Sequence, residues 1–195
     1  GAVSLLRHVM FHTHAWDLGN YDQALWSIAT GRFPQRTLHG DVPIFGDHFK
    51  PILLGLAPLY WLWPDPRGLL VLQAVALGAG VFPLYRIARR VLEDQRLAVL
   101  FPALYVAYYP LRRLTLWDFH PEALAITFLL LATDALLAGR RIPFLVWLTL
   151  AIATKEEMFL VALAFGLFVM LERREWGLGA SLVLLDEKAG RSVAR

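Results

Sequence analysis

Five apolar segments follow one another along the sequence, and each ends at proline, glycine or charged residues. They cover residues 68–85, 97–111, 122–138, 142–154 and 158–171. A helix needs roughly 17–25 residues to span a bilayer, so the shorter segments must be tilted or extended by flanking aromatic residues. Only helices and closed barrels satisfy their backbone hydrogen bonds in lipid. The pattern therefore predicts an all-α fold, a polytopic bundle of transmembrane helices.

The composition agrees with a membrane protein. Hydrophobic residues make up 57% of the chain and charged residues only 18%, with a mean hydropathy of +0.51, which is too apolar for a soluble domain. The absence of cysteine excludes disulfides and thiolate metal sites. Arginines cluster at the ends of the apolar segments, so we interpret them as topology signals and expect no nucleic-acid partner.

The same arginines predict an orientation, because cytoplasmic loops carry an excess of Lys and Arg. Three alternate loops share this excess, and they hold Arg86, Arg89, Arg90 and Arg96, then Arg140 and Arg141, then Arg173 and Arg174. We therefore predict a multi-pass protein of the cytoplasmic membrane whose histidines all lie on the outer face. Asp134, near the cytoplasmic end of its segment, should snorkel or pair with Arg140 or Arg141.

These assignments divide the chain into three parts. Residues 1–67 are predicted to form an outer-face loop with juxtamembrane helices, residues 68–176 the transmembrane bundle, and residues 177–195 a polar tail. Residues 51–63 form an apolar stretch with a proline near each end. This stretch is too short to span, so we expect a helix lying in the outer interface.

The first candidate site is the segment "HAWDLGNYDQALW", residues 14–26. Leu18, Tyr21 and Leu25 form an apolar stripe at helical spacing, and Asp17 and Asp22 flank it. These carboxylates could bind a divalent cation or accept a proton. The structural alternative is that Asp17 is a helix N-cap and Asp22 a solvated side chain.

The second candidate is "GDHFKP", residues 46–51. His48 and Lys50, together with the preceding carboxylate, could hold a metal and a phosphate beside a helix that begins with proline. The alternative is a polar loop in which Lys50 contacts lipid headgroups.

A third candidate is "RRLTLWDFHPEALA", residues 112–125. Asp118 and His120 are metal-ligand types, and Arg112 and Arg113 are available for a phosphate. Anchoring at the membrane interface would explain the arginines equally well.

The last candidate is "TKEE", residues 154–157. Thr154 and Glu157 match a capping box at a helix start, which leaves Lys155 and Glu156 without a structural explanation. Charges placed between two apolar segments are costly in lipid and usually face a cavity or a partner.

The order of these motifs, with "LLVLQAVALG" and "PLYRIARR" between them, resembles a family of prokaryotic membrane proteins known as domain of unknown function 2079. The resemblance extends from about residue 5 to residue 176. More distantly, the chain is similar to the GT-C glycosyltransferases. Those enzymes move a sugar from a polyprenyl-phosphate carrier to an acceptor at the outer face of the membrane.

The resemblance implies roles for individual residues. Asp17 matches an acidic position that serves as general base or metal contact, and Asp118 matches a second acidic position. Lys50 and Lys155 match basic positions, the first of which contacts the carrier phosphate. A divalent metal, Mg, Mn or Zn, would be held by carboxylates and imidazoles, drawn from Asp17, Asp22, His48, His120 and Glu156.

The implied reaction is an inverting displacement in which Asp17 deprotonates an acceptor hydroxyl while cations neutralise the departing polyprenyl phosphate. The resemblance does not identify the acceptor. It also implies a membrane helix before "SLLRH" and further segments after the polar tail, so we expect an N-terminal fragment.

Three other functions fit the composition. A transporter component would keep polar residues in a membrane bundle, but along a path to the midplane. A non-enzymatic membrane protein would tolerate loss of Asp17 and Asp118. A metal-dependent hydrolase acting on a lipid-linked substrate would release the sugar to water.

Overall fold

The computed structural model describes residues 1–13, 15–37, 42–92 and 94–172. His14, His39, Arg173, Arg174 and the predicted tail at residues 177–195 lie outside the described residues. The helices are α1 Ala2–Val9, α2 Asn20–Ala29, α3 Ile44–Asp47, α4 Ile52–Leu56, α5 Leu59–Leu62, α6 Pro66–Ala79, α7 Val81–Leu92, α8 Gln95–Ala107, α9 Tyr109–Leu116, α10 Glu122–Leu137, α11 Arg141–Ile152 and α12 Met158–Glu172. The all-helical prediction is confirmed, apart from a two-residue antiparallel pairing of β1 Gln35–Arg36 with β2 Val42–Pro43.

All five predicted apolar segments are helical, and the first is longer than predicted. Helices α6 and α7 together form a helix at Pro66–Leu92 of 27 residues, the one helix in the described part that is long and apolar enough to cross a membrane. It starts early because the Asp65 side chain accepts from the Arg67 N–H at 2.8 Å and Pro66 occupies the first turn, where its missing N–H costs nothing.

Two predicted boundaries differ from the structure. The segment at residues 97–111 ends at Ala107, and a separate helix, α9, begins at Tyr109 with Pro110 in its first turn. The single helix expected at residues 51–63 is divided into α4 and α5. Prolines account for both differences, because each lacks an N–H and is favoured where a new helix begins.

The part of the chain before α6 packs around α2. A one-turn π-helix, Ala15–Gly19, leads directly into α2. Leu18, Tyr21 and Leu25 are buried there against residues of α4, α5 and α6, so the predicted apolar stripe is confirmed. The burial of Leu18 fixes the π-helical turn, which carries Asp17, against this core. A second core joins α10, α11 and α12.

Side chains of α8 and α10 lie close to Gly80, which joins α6 to α7. A Cβ atom at Gly80 would lie 2.5 Å from Tyr105 Oη and 3.1 Å from Thr127 Oγ1. Both hydroxyls donate to α6 carbonyls, Tyr105 to Leu77 at 2.9 Å and Thr127 to Ala76 at 2.6 Å. Glycine at this position is therefore required by packing rather than by backbone conformation.

We expect Gly80→Ala to lower the free energy of unfolding by about 1–3 kcal/mol, because the added methyl displaces Tyr105. The matched control is Gly78→Ala on the same helix, where nothing lies within 4 Å of an added Cβ. That change should be neutral or stabilising, since alanine favours helix by about 1 kcal/mol over glycine. Thermal unfolding of both variants in nanodiscs measures the difference, and equal midpoints would contradict the packing argument.

Helix α10 carries a carboxylate near each of its two ends. Glu122 lies in its first turn, and buried Asp134, 2% exposed, lies in its last. The Asp134 carboxylate is 2.8 Å from Arg86, 3.3 Å from Arg90 and 3.4 Å from Arg140. The predicted pairing of Asp134 with Arg140 is confirmed, and we call the three guanidinium groups the arginine cluster. Twelve residues of helix separate it from Glu122 by about 18 Å.

Candidate functional site

A cleft of about 290 Å³ opens beside the first turn of α10. Its walls come from the π-helical turn, α2, the segment around α3 and the loops before α10 and α12. The lining residues are Trp16, Asp17, Asn20, Tyr21, Ile44, His48, Lys50, His120, Glu122 and Lys155. The structure therefore brings together five of the residues singled out from the sequence, namely Asp17, His48, Lys50, His120 and Lys155.

Two lysines converge on one carboxylate in this cleft. Lys50 is 3% exposed, and its ammonium group donates to the Tyr21 hydroxyl and, at 2.9 Å, to Glu122 Oε1. Lys155 Nζ lies 3.7 Å from the same Glu122 oxygen and 3.0 Å from Glu157 Oε2. Burial lowers the pKa of Lys155, but Glu157 and Glu122 raise it by more than burial lowers it. Its net pKa therefore lies above the ordinary value. The Lys155 ammonium group therefore carries its charge at neutral pH.

Two histidine–carboxylate pairs flank the lysines. His48 Nδ1 lies 2.7 Å from Glu156 Oε1. Burial raises the pKa of Glu156, but the hydrogen bonds from His48 and the backbone lower it more, and its net pKa falls below the ordinary value. His120 Nε2 lies 3.8 Å from Asp17 Oδ2.

The tautomer of His120 follows from its second nitrogen. His120 Nδ1 lies 2.9 Å from the carbonyl oxygen of Asp118, and a carbonyl can only accept. Nδ1 therefore carries the hydrogen, and neutral His120 presents the lone pair of Nε2 towards Asp17. The 3.8 Å between Nε2 and Asp17 Oδ2 is longer than a hydrogen bond, so the two groups must move closer before Asp17 can pass a proton to this imidazole.

Gln73, which sequence reasoning missed, holds the loop that carries His120. It is fully buried in α6, its Nε2 donates to the Leu114 carbonyl at 2.9 Å, and its Oε1 accepts from the His120 backbone N–H at 2.9 Å. The signal in the sequence was a lone amide within an apolar segment. A polar side chain there costs free energy unless it forms hydrogen bonds with other groups of the protein. Asp118 is buried in the same loop and does not line the cleft.

Asp22 lies apart from the cleft. Its Oδ1 accepts from the Tyr60 hydroxyl at 2.7 Å, and it is not a lining residue. Burial raises the pKa of Asp22, although the Tyr60 hydrogen bond acts in the opposite direction. The N-cap of α2 is Gly19, whereas Asp17 lies inside the π-helical turn. The alternative interpretation of Asp17 as a helix cap is therefore wrong for α2.

The two arginines of α9 do not join the lysines. Arg112 and Arg113 are exposed, and neither lines the cleft. Arg113 lies over the Trp117 ring at 5.9 Å, while Arg112 borders a separate apolar groove between α1, α6, α8 and α9. Their role in phosphate binding stays a prediction, and neither arginine takes part in the cleft.

The metal-ligand candidates do not form one site. Within residues 1–13, 15–37, 42–92 and 94–172, no three His, Asp or Glu side chains are grouped closely enough to hold a metal ion. What the structure provides are the pairs His48–Glu156 and Asp17–His120. A divalent ion at either pair would need oxygen ligands from a substrate, as Mg²⁺ often takes from phosphates.

Asp22 offers a test of the core around α2. Because its folded pKa is raised above the ordinary value of 3.8, its stabilising contribution is present below that value and is lost as the pH rises through the folded pKa. Asp22→Asn removes the buried charge and keeps an oxygen to accept from Tyr60. We expect a higher unfolding midpoint than wild type at pH 7, and a difference that shrinks as the pH approaches 3.8. Tyr60→Phe, which removes the donor, should instead lower the midpoint at pH 7.

Comparison with known proteins gives one match. A family model described as "Predicted membrane protein (DUF2079)" matches residues 7–186. No curated protein and no solved structure is significantly similar to the chain.

Proposed function

Because the chain belongs to the DUF2079 family of predicted membrane proteins, we propose that it crosses the cytoplasmic membrane several times, through a bundle at residues 68–176. Large apolar side chains exposed on the bundle helices support this proposal. They include Phe82, Leu104, Ile142, Leu160 and Leu171. Water-soluble monomers rarely expose contiguous apolar surface on this scale, whereas lipid tails would cover it.

The arrangement along α10 supports an outward-facing cleft. The arginine cluster lies at one end of this helix and the cleft at the other, and positively charged loops favour the cytoplasmic side. Residues 1–67 would then lie outside, with α4 and α5 in the outer interface. Since the chain has no cysteine, single-cysteine variants can test this orientation. An impermeant maleimide added to intact cells should label Glu157→Cys and leave Gln95→Cys unlabelled.

We further propose that the cleft transfers a sugar from a polyprenyl-phosphate carrier to an acceptor hydroxyl. The observation that carries this proposal is the convergence of two ammonium groups and an Asp17–His120 pair in one cleft at the end of an apolar bundle. The lysines supply positive charge for a phosphate, and the aspartate supplies a base. Both groups lie at the end of the apolar bundle, where the lipid chain of a carrier could lie beside the helices.

The mechanism is an inverting displacement. Asp17 removes the proton from the acceptor hydroxyl, whose oxygen forms a bond to the anomeric carbon. The bond between that carbon and the phosphate oxygen breaks, and its electron pair leaves with the polyprenyl phosphate. Lys155, backed by buried Lys50, neutralises the charge that develops on this leaving group. His120 Nε2 can then take the proton from Asp17 and restore the base.

The test is to incubate the protein in proteoliposomes with radiolabelled polyprenyl-phosphate sugars and an outer-membrane extract as acceptor. Transfer consumes the carrier-linked sugar and labels the acceptor. Release of free sugar without a labelled acceptor would identify a hydrolase instead. If no carrier is consumed under any divalent-metal condition, the proposal of an enzyme fails.

A further inference from the structure

Three buried oxygen atoms near the cleft receive no hydrogen bond from the described residues. They are Asn20 Oδ1, Glu122 Oε2 and Glu156 Oε2. Asn20 and Glu122 line the cleft, and Glu156 binds His48, which also lines it. A buried acceptor without a donor costs about 1–3 kcal/mol, and such atoms are few in folded proteins. Their concentration around one cleft therefore calls for an explanation.

Each of these side chains is held in place through its other polar atom. The Asn20 amide nitrogen donates to the Trp16 carbonyl. The second oxygen of Glu122 accepts from Lys50, and that of Glu156 pairs with His48. Asn20 is only 4% exposed, so it cannot turn its oxygen to solvent. The three acceptors are fixed, and for the two whose residues line the cleft, Asn20 and Glu122, a ligand there is the natural source of donors.

We infer that the cleft binds a group with several hydrogen-bond donors and no negative charge. On the proposed function, on which this inference rests, that group is the carrier's sugar, a neutral hexose or pentose and not an acidic sugar. Sugar hydroxyls donate to oxygen acceptors. Two of the three acceptors are carboxylates, which would repel a uronic acid. Asn20 and Glu122, which line the cleft, are thus specificity-determining residues, distinct from the lysines that face the phosphate, and Glu156 adds negative charge behind His48.

The inference predicts relative affinities of three lipid probes. The probes are a long-chain polyprenyl phosphate, its glucose conjugate and its glucuronic acid conjugate. The protein is placed in nanodiscs free of glycoside detergent, because such detergents carry competing hydroxyls. The glucose conjugate should bind about tenfold more tightly than the bare phosphate, the effect of one hydrogen bond to a charged group. The glucuronic acid conjugate should gain nothing.

Glu122→Gln provides the sharpest variant. Lys50 donates to Oε1, so the amide oxygen of glutamine must face Lys50 and its NH₂ group takes the position of Oε2. A donor then replaces the acceptor, and the tenfold preference for the glucose conjugate should fall to about twofold or less. Asn20→Leu should lower the same ratio. Glu157→Gln is the matched control, because it removes an exposed carboxylate, 61% accessible, beside the same Lys155 and should leave the ratio unchanged.

The outcomes separate this inference from the proposed function. Equal affinity of wild type for all three lipids, or tighter binding of the glucuronic acid conjugate, overturns the inference and leaves phosphate recognition standing. Failure of wild type to bind any of the three lipids overturns both. Binding of the bare phosphate by each variant shows that the variant is folded.

Discussion

Asp17→Asn should reduce the rate of sugar transfer by about 10²–10⁴-fold, the usual contribution of a positioned general base. Asparagine keeps the shape of the side chain and a hydrogen-bonding oxygen but cannot accept a proton at neutral pH. Because Asp17 is proposed to act on the acceptor and not on the carrier, the affinity for the lipid-linked sugar should change little. Single-turnover rates and lipid binding, measured on the same nanodisc preparation, distinguish the two effects.

The matched control for this change is Asp94→Asn. Asp94 is the N-cap of α8, where its side chain accepts from the backbone N–H groups of Arg96 and Leu97. It does not line the cleft, and asparagine is an equally good cap, so transfer should proceed at the wild-type rate. A wild-type rate in Asp17→Asn itself would place the base on another residue.

The largest expected effect on stability comes from Lys50→Met. Lys50 is buried and binds Tyr21 and Glu122, and methionine preserves most of its volume. Its loss leaves Glu122 with the longer contact to Lys155 at 3.7 Å, and removing the buried member of an ion pair costs about 3–5 kcal/mol. For a chain of this size the loss corresponds to a fall in the unfolding midpoint of about 10 °C. Differential scanning fluorimetry in nanodiscs measures it.

Lys155→Met is the comparison that makes this prediction specific. Lys155 pairs with Glu122 at the longer distance of 3.7 Å, and its nearer partner Glu157 is exposed. Exposed ion pairs contribute about 1 kcal/mol or less, so the midpoint should fall only slightly. If both variants lost the same stability, the buried position of Lys50 would have no energetic consequence.

The helices were predictable because apolar periodicity and proline or charge boundaries are local properties of the chain. The first segment could be recognised at residues 68–85, although its N-terminal extension depends on the cap formed by Asp65. Helix α9 was not predicted, since its adjacent arginines, Arg112 and Arg113, indicated a loop between two apolar segments. Its first turn depends on Pro110 and on packing against α6 and α8.

The partners within the cleft were less predictable, because they come from distant parts of the chain. Tyr21 fits the apolar stripe that the sequence shows, but its hydroxyl accepts from Lys50, 29 residues away. Glu122, in the first turn of α10, joins Lys50 to Lys155, which follows it by 33 residues. Asp22 was expected to be solvated or a metal ligand, and a tyrosine 38 residues later binds it instead.

The amide of Gln73 has a further consequence for a protein embedded in lipid. Because Gln73 hydrogen-bonds the backbone of His120 directly, the His120 loop follows any tilt of α6. Asp17 is joined to α6 indirectly, through the side-chain packing of Leu18 and Tyr21 in the core that includes α6. Bilayers of different thickness change helix tilt, and would therefore alter the spacing of Asp17 and His120. Acyl-chain length in the surrounding membrane becomes a determinant of how well this pair can exchange a proton.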